Sequence, residues 1–229
     1  MQIEIWSDVM CPFCYIGKRR FEHALAQFEH KEDVTVVWKS FQLDPTLPAT
    51  GTGSIHEYLA ERKGFTLDHA KQMNEQVTAM AADVGLQYNF DKAVVANSFD
   101  AHRFSHLAAQ HGLGDAAEES LFKAYFTEGK NIADHEVLAQ LGANIGLDAA
   151  AVKTTLAGNA FADAVRTDVE EAAALGARGV PFFVIDRKYA VSGAQPEATF
   201  LNALQRAFSE QEKAAETGNG NACDIDGNC

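Results

Sequence analysis

The sequence predicts an α/β chain whose strands lie near its two ends and whose middle is all helix. Three observations predict it. Near the start, an apolar-alternating run, Ile3-Glu4-Ile5-Trp6, leads into a helical pattern and then into a β-branched and aromatic run, Val34-Thr35-Val36-Val37-Trp38-Lys39-Ser40-Phe41. From residue 55 to about 159 the apolar spacing is helical and nothing reads as a strand. Beyond residue 161, one more helix is followed by two short apolar runs and a final amphipathic segment.

Taken in order, residues 2 to 7 form the first strand and residues 12 to 29 the first helix, with Ile16, Phe21, Leu25 and Phe28 on its apolar side. The run at 34 to 41 reads as a largely buried strand, which completes a right-handed strand–helix–strand unit. Asp44-Pro45, Leu47-Pro48 and the Gly/Ser/Thr-rich stretch to Ser54 break the pattern. Helices are then expected near 55–63, 67–85, 92–111, 115–128 and 134–145, with a short one after Asp148. Gly64, Gly85, Gly112, Gly129 and Gly146 each follow a periodic segment, where a left-handed helix end falls. Asp134 and Asp148 are placed to cap helix starts. A helix from 161 to 175 stops at Gly176. Val180-Pro181-Phe182-Phe183-Val184-Ile185 and Tyr189-Ala190-Val191-Ser192 then flank the short turn Asp186-Arg187-Lys188 as a hairpin. The last helix begins near Pro196. Strand–helix–strand followed, after an interruption, by helix–strand–strand–helix is the order of a thioredoxin-like fold interrupted by an all-helical insertion domain. The expected domains are residues 1–44 with 161–212, the insertion at 45–160, and a C-terminal tail at 213–229.

The chemistry is expected at Cys11-Pro12-Phe13-Cys14, between the first strand and the first helix. With Cys11 as the helix cap, Pro12 occupies the first helical position, where its missing N–H costs nothing. Cys14 lies one turn further on the same face, so the sulfurs close a disulfide or open to a dithiol with little backbone movement. The helix N-terminus favours a thiolate at Cys11. A zinc site would need a second ligand pair at matching spacing. Cys223 and Cys229 do not supply it, and no metal site is expected. His102 and His106 are one turn apart, yet no Glu adjoins the first as in a metalloprotease helix.

Composition narrows the partners. The 229 residues carry a formal charge of −13, which repels a nucleic-acid backbone. No run approaches the roughly 18 apolar residues of a membrane span, and no export signal precedes the first strand. A soluble, cytoplasmic protein is expected. In that setting the Cys11–Cys14 pair would be held mostly reduced.

Four segments carry a more specific resemblance: Asp8-Val9-Met10-Cys11-Pro12-Phe13-Cys14-Tyr15-Ile16-Gly17, Asn97-Ser98-Phe99-Asp100-Ala101-His102-Arg103, Tyr125-Phe126-Thr127-Glu128-Gly129 and Gly179-Val180-Pro181-Phe182-Phe183-Val184. Through them, residues 1 to about 208 resemble the cytoplasmic, FrnE-type branch of the DsbA family of thiol–disulfide oxidoreductases. The resemblance implies an enzyme in which Cys11 attacks a substrate disulfide and Cys14 resolves the mixed disulfide. It also implies a cis Pro181 facing Cys11, with the Val180 backbone pairing to an extended substrate. On the residues alone, Pro181 reads equally as a strand-entry proline. Pro12 and Phe13 would border the substrate, while Asn97, His102 and Arg103, with Phe99, would line the cleft between domains.

No bound cofactor is expected beyond the redox-active disulfide. The partners expected are disulfide- or thiol-containing proteins or peptides, with glutathione or a thioredoxin-type reductant as electron donor. Phe13, where strongly oxidising relatives carry histidine, predicts a less oxidising pair. Some relatives carry a second C-terminal cysteine pair, so Cys223 and Cys229 are candidates for one that exchanges with the first. The alternative reading is a glutathione-dependent isomerase or kappa-type glutathione transferase, glutathione then being co-substrate. Those proteins resemble this architecture but place Ser at the first cysteine position. A third reading is a peptide-binding holdase whose thiols are secondary.

Overall fold

The computed structural model describes residues 1–49 and 53–218, with side chains described to residue 214. A four-stranded sheet in the order β2-β1-β3-β4 forms its base. Strand β1 (Gln2–Ser7) pairs in parallel with β2 (Thr35–Ser40) and antiparallel with β3 (Phe182–Ile185). Strand β4 (Tyr189–Ser192) closes the hairpin on β3. Alternation along β1 sorts its side chains. Ile3 and Ile5 enter one apolar cluster with Phe183 and Ile185, beneath helix α1 (Pro12–Gln27) and helix α9 (Glu197–Gly218). Phe183 and Phe200 meet edge to face, their centroids 4.6 Å apart. Trp6 enters the other face with Phe182 and Val184, covered by helix α8 (Ala162–Ala174).

Between β2 and α8 the chain builds α2 (Ile55–Lys63), α3 (Leu67–Ala82), α4 (Phe99–Gln110), α5 (Gly114–Phe122), α6 (His135–Asn144) and α7 (Ala149–Ala157). Asp134 and Asp148 cap α6 and α7 by accepting from Glu136 and Ala150 N–H groups. The glycines at 64, 85, 112, 129 and 146 all have positive φ. The apolar core of these helices is continuous with Cys11, Cys14, Tyr15 and Ile16, so the dithiol sits where the helical part meets the sheet part. Among the described residues, no helix is long and apolar enough to cross a membrane.

Three elements differ from expectation. Strand β2 is an edge strand and mostly half-buried, because its apolar residues meet the sheet on one side only. The helix expected from residue 92 starts at Phe99: Asn97 Oδ1 accepts the Phe99 N–H at 2.9 Å, and Val94 forms an isolated bridge to Ser54. The helix expected to run to 128 loosens after Phe122 into a π-helical segment, Lys123–Glu128, closed by Gly129 at φ +68°. A Cβ at Gly129 would collide with the backbone carbonyl of Lys92. Gly129→Ala should therefore lower stability by about 3 kcal/mol, read as a reduced urea midpoint at unchanged slope.

Candidate active site

The loop between β1 and α1 is shaped by Asp8, which is fully buried. Its carboxylate accepts the Leu43 N–H at 2.7 Å and the Met10 N–H at 3.2 Å, and its carbonyl accepts the Cys11 N–H at 2.9 Å. Cys11 thereby becomes the extended cap of α1, with Pro12 at the first helical position. Cys11 and Cys14 are both free thiols, 3.5 Å apart and 4 % and 1 % exposed. Burial pushes the Cys14 thiol well above its ordinary pKa, and the neighbouring Cys11 sulfur adds to the rise; the Ser7 hydroxyl and Asp8 backbone work the other way.

Across from the dithiol, the Cys11 S–H donates to the Val180 carbonyl at 3.5 Å. The Val180–Pro181 peptide bond is cis. Gly17 lets α1 approach this segment, since a Cβ there would stand 2.8 Å from Pro181 Cγ. On the solvent side, Phe13 and Leu43 are 39 % and 47 % exposed. Next to them, Met10, Pro12, Leu43, Ile55, Leu59 and Phe90 line much of a cavity of about 170 Å³.

Aromatic residues bind this helix start to the helical part. The Tyr88 hydroxyl donates to the Pro12 carbonyl at 2.7 Å, and its ring stacks on Phe126 at 4.6 Å. Tyr15, directly after Cys14, stacks on Phe122 at 4.9 Å and donates to Glu119 at 2.6 Å. Glu119 also receives Arg19 at 2.7 Å and Lys18 at 3.0 Å. Burial opposes its charge, but these partners outweigh it and hold the carboxyl below its ordinary pKa.

The residues expected to line a cleft are scattered. Asn97 fastens the 42–47 loop, accepting from Gln42 at 3.1 Å and donating to the Leu47 carbonyl at 2.7 Å. With Phe99 it borders a separate hollow of about 260 Å³. His102 is buried behind the dithiol loop, its Nε2 3.7 Å from Asp8 Oδ1. Arg103 is a correction. It is buried, and its guanidinium donates to Asp100 and to the carbonyls of Thr155, Leu156, Gly158 and Ala160, so it closes the end of α7 instead of facing a substrate. Arg103→Ala should cost about 3 kcal/mol in denaturant unfolding, while thiol exchange by the folded fraction keeps its rate. Cys223 and Cys229 lie outside the described residues.

Sequence reasoning missed the work of Asp8, Tyr88 and Glu119. Asp8 sat within the motif, and its place beside a helix start was a signal. Tyr88 and Glu119 act across more than 70 residues, and no local pattern marks them.

Fold and site together define a thioredoxin-fold protein with a dithiol at the N-terminus of its first helix. The chain belongs to the family described as "DSBA-like thioredoxin domain", whose model matches residues 2–205. The crystal structure of a probable DsbA oxidoreductase from Streptomyces coelicolor is 42% identical, with a TM-score of 0.88 over 92% of this chain and 91% of that one. Two more distant structures share the fold. A 2-hydroxychromene-2-carboxylate isomerase is 15% identical, with a TM-score of 0.69 over 93% of this chain and 99% of its own. The cytosolic disulfide reductase DsbM from Pseudomonas aeruginosa is 17% identical, with a TM-score of 0.61 over 95% of this chain and 100% of its own. A further structure of DsbM contains GSH.

Proposed function

We propose that this protein is a thiol–disulfide oxidoreductase acting on disulfide- or thiol-containing proteins, peptides or small molecules. The observation that carries the reading is the free Cys11–Cys14 pair, 3.5 Å apart, with Cys11 against the Val180 carbonyl and next to the exposed Phe13. In the reducing direction, the Cys11 thiolate attacks one sulfur of the substrate disulfide and expels the other as a thiolate. Cys14 loses its proton, attacks the Cys11 sulfur, and releases the second substrate thiolate as the Cys11–Cys14 bond forms. The substrate has then gained two electrons and the enzyme lost them. Run backwards, the same steps oxidise a dithiol. Pro12, Phe13 and the Val180 backbone border the substrate, and the apolar surface around Phe13 and Leu43 accommodates a hydrophobic flank of a peptide.

Glutathione or a thioredoxin-type protein would regenerate the dithiol in a cytoplasmic setting. A cytosolic disulfide reductase of this fold whose structure has been determined with GSH supports that choice of donor. The FrnE-type assignment and a redox exchange with Cys223–Cys229 belong to the same proposal. Equilibration across glutathione ratios, followed by alkylation and mass mapping of each cysteine, tests it. Closure of Cys11 on Cys14 at a defined potential supports it. A stable glutathione adduct at Cys11 with Cys14 left free favours the glutathione-dependent isomerase reading, to which the 2-hydroxychromene-2-carboxylate isomerase fold points.

A further inference from the structure

The exchange steps above give no task to the hydroxyl of Tyr88, which the helical part fixes onto the peptide between the two cysteines. Tyr88 lies between α3 and α4, is 5 % exposed, and donates to the Pro12 carbonyl at 2.7 Å. Its ring is held by Phe126, stacked at 4.6 Å, and by Phe90, edge-on at 5.5 Å. The chain around it is sewn to the π-helical segment Lys123–Glu128. Asn89 donates its N–H to the Phe126 carbonyl and its side-chain amide to the Thr127 carbonyl, both at 2.7 Å. The Thr127 hydroxyl donates back to the Gln87 carbonyl at 2.7 Å. The α-helix already offers the Pro12 carbonyl the N–H of Ile16, so the Tyr88 hydroxyl is a second donor on an oxygen that one donor would satisfy.

We propose that Tyr88 is a positioning residue that acts through the Pro12–Phe13 peptide to favour the thiolate of Cys11, so that the helical part makes the dithiol more oxidising. The proposal rests on the reading of Cys11 and Cys14 as an exchanging dithiol. Cys11 is the cap of α1, and in its thiol form it makes no cap hydrogen bond but donates to the Val180 carbonyl at 3.5 Å. Once ionised it has no proton to donate, and its sulfur becomes an acceptor for the N–H groups of the second and third helical positions. The third, on Cys14, is turned to the Cys11 carbonyl at 3.0 Å. The second is the Phe13 N–H, which no helical carbonyl can reach. That N–H and the Pro12 carbonyl are the two ends of one peptide group. A donor on the carbonyl polarises the group and strengthens donation from its N–H, as along any chain of hydrogen bonds. Burial pushes the Tyr88 hydroxyl well above its ordinary pKa, and charge at Cys11 and Cys14 adds to the rise, so it remains a donor while the thiols exchange. A favoured thiolate stabilises the reduced pair, and a stabilised reduced pair is the stronger oxidant.

The test is Tyr88→Phe, which keeps the ring and removes the hydroxyl. Wild type and variant are equilibrated with glutathione: two glutathione thiols give up two electrons and two protons as one glutathione disulfide forms, and the Cys11–Cys14 bond opens to a dithiol. The equilibrium constant in that direction should fall about fivefold in the variant. Alkylation of Cys11 by iodoacetamide, located by mass spectrometry, should slow about threefold near neutral pH and converge on the wild-type rate in alkaline solution. An unchanged or larger equilibrium constant would overturn the proposal. Slowing of alkylation by the same factor at every pH would also overturn it, since that marks a role in packing alone. A wild-type protein in which Cys11 and Cys14 never close would instead remove the dithiol reading, and this proposal with it.

Discussion

Cys14→Ser should turn a catalyst into a trap. Cys11 keeps its cap position and its contact with Val180, so the first attack on a disulfide proceeds. A serine hydroxyl cannot displace the mixed disulfide, and the adduct then lasts until an outside thiol reaches it. Turnover with a protein disulfide should fall at least about a thousandfold, while a disulfide-linked adduct at Cys11 accumulates and survives non-reducing electrophoresis. Cys11→Ser should abolish turnover to the same degree and leave no adduct. Mass spectrometry of the two variants after incubation with intact, disulfide-linked insulin distinguishes them. Adducts in the Cys11→Ser protein, or none in the Cys14→Ser protein, would reverse the assignment of nucleophile and resolver.

The second large effect concerns stability. Asp168 on α8 is buried and accepts from Lys39 Nζ at 2.8 Å, the Ser40 N–H at 2.9 Å and His106 Nε2 at 3.0 Å. Its own carbonyl receives the Trp6 indole at 2.8 Å, so one residue ties α8 to β1, β2 and α4. Burial opposes the charge, but the hydrogen bonds from His106, Lys39 and Ser40 outweigh it and hold the carboxyl below its ordinary pKa. A folded-state pKa below the unfolded one contributes stability that is fully present above the unfolded value, about 3.9, and is lost as pH falls through the folded one. Asp168→Ala should cost about 3–5 kcal/mol at pH 7, because Lys39 and Ser40 lose a buried partner. The deficit should shrink as pH falls below about 4. Urea melts at pH 7 and pH 3.5 check this; a deficit that stays constant would mean that packing, not charge, is responsible.

Much of this architecture was legible because its signals are local. Cys11 followed by Pro12 marks a helix start, the glycines mark helix ends, and the apolar alternation of β1 and the hairpin marks strands. Where the reading went wrong, a tertiary fact decided. Val34 to Phe41 carry enough apolar surface for a central strand, and only the sheet order shows that β2 lies at the edge. Residues 92 to 98 have helical spacing, but Asn97 turns its side chain onto the Phe99 N–H and delays the helix. Lys18 is the clearest case of a hidden role. By type it belongs in solvent, yet it is 2 % exposed and bonded to Glu22, Asp115 and Glu119, partners that lie on two different helices. The dithiol itself was readable from four residues. The approach of His102 to Asp8 was not, because the two come from separate stretches of chain.

The placement of β1 sets a schedule for biosynthesis. Strand β1, Cys11 and Cys14 are translated long before β3, yet β1 is completed on one side by β3, where Ile3 faces Ile185. At about 5–20 residues per second, the gap between them takes roughly ten to forty seconds to translate. Throughout that interval one edge of the nascent strand stays open and the thiols lack their Val180 neighbour. The newborn chain is most exposed to unwanted disulfides and strand-to-strand aggregation before β3 and Val180 arrive. A reducing environment around the emerging chain would thus protect the two sulfurs on which the proposed function rests.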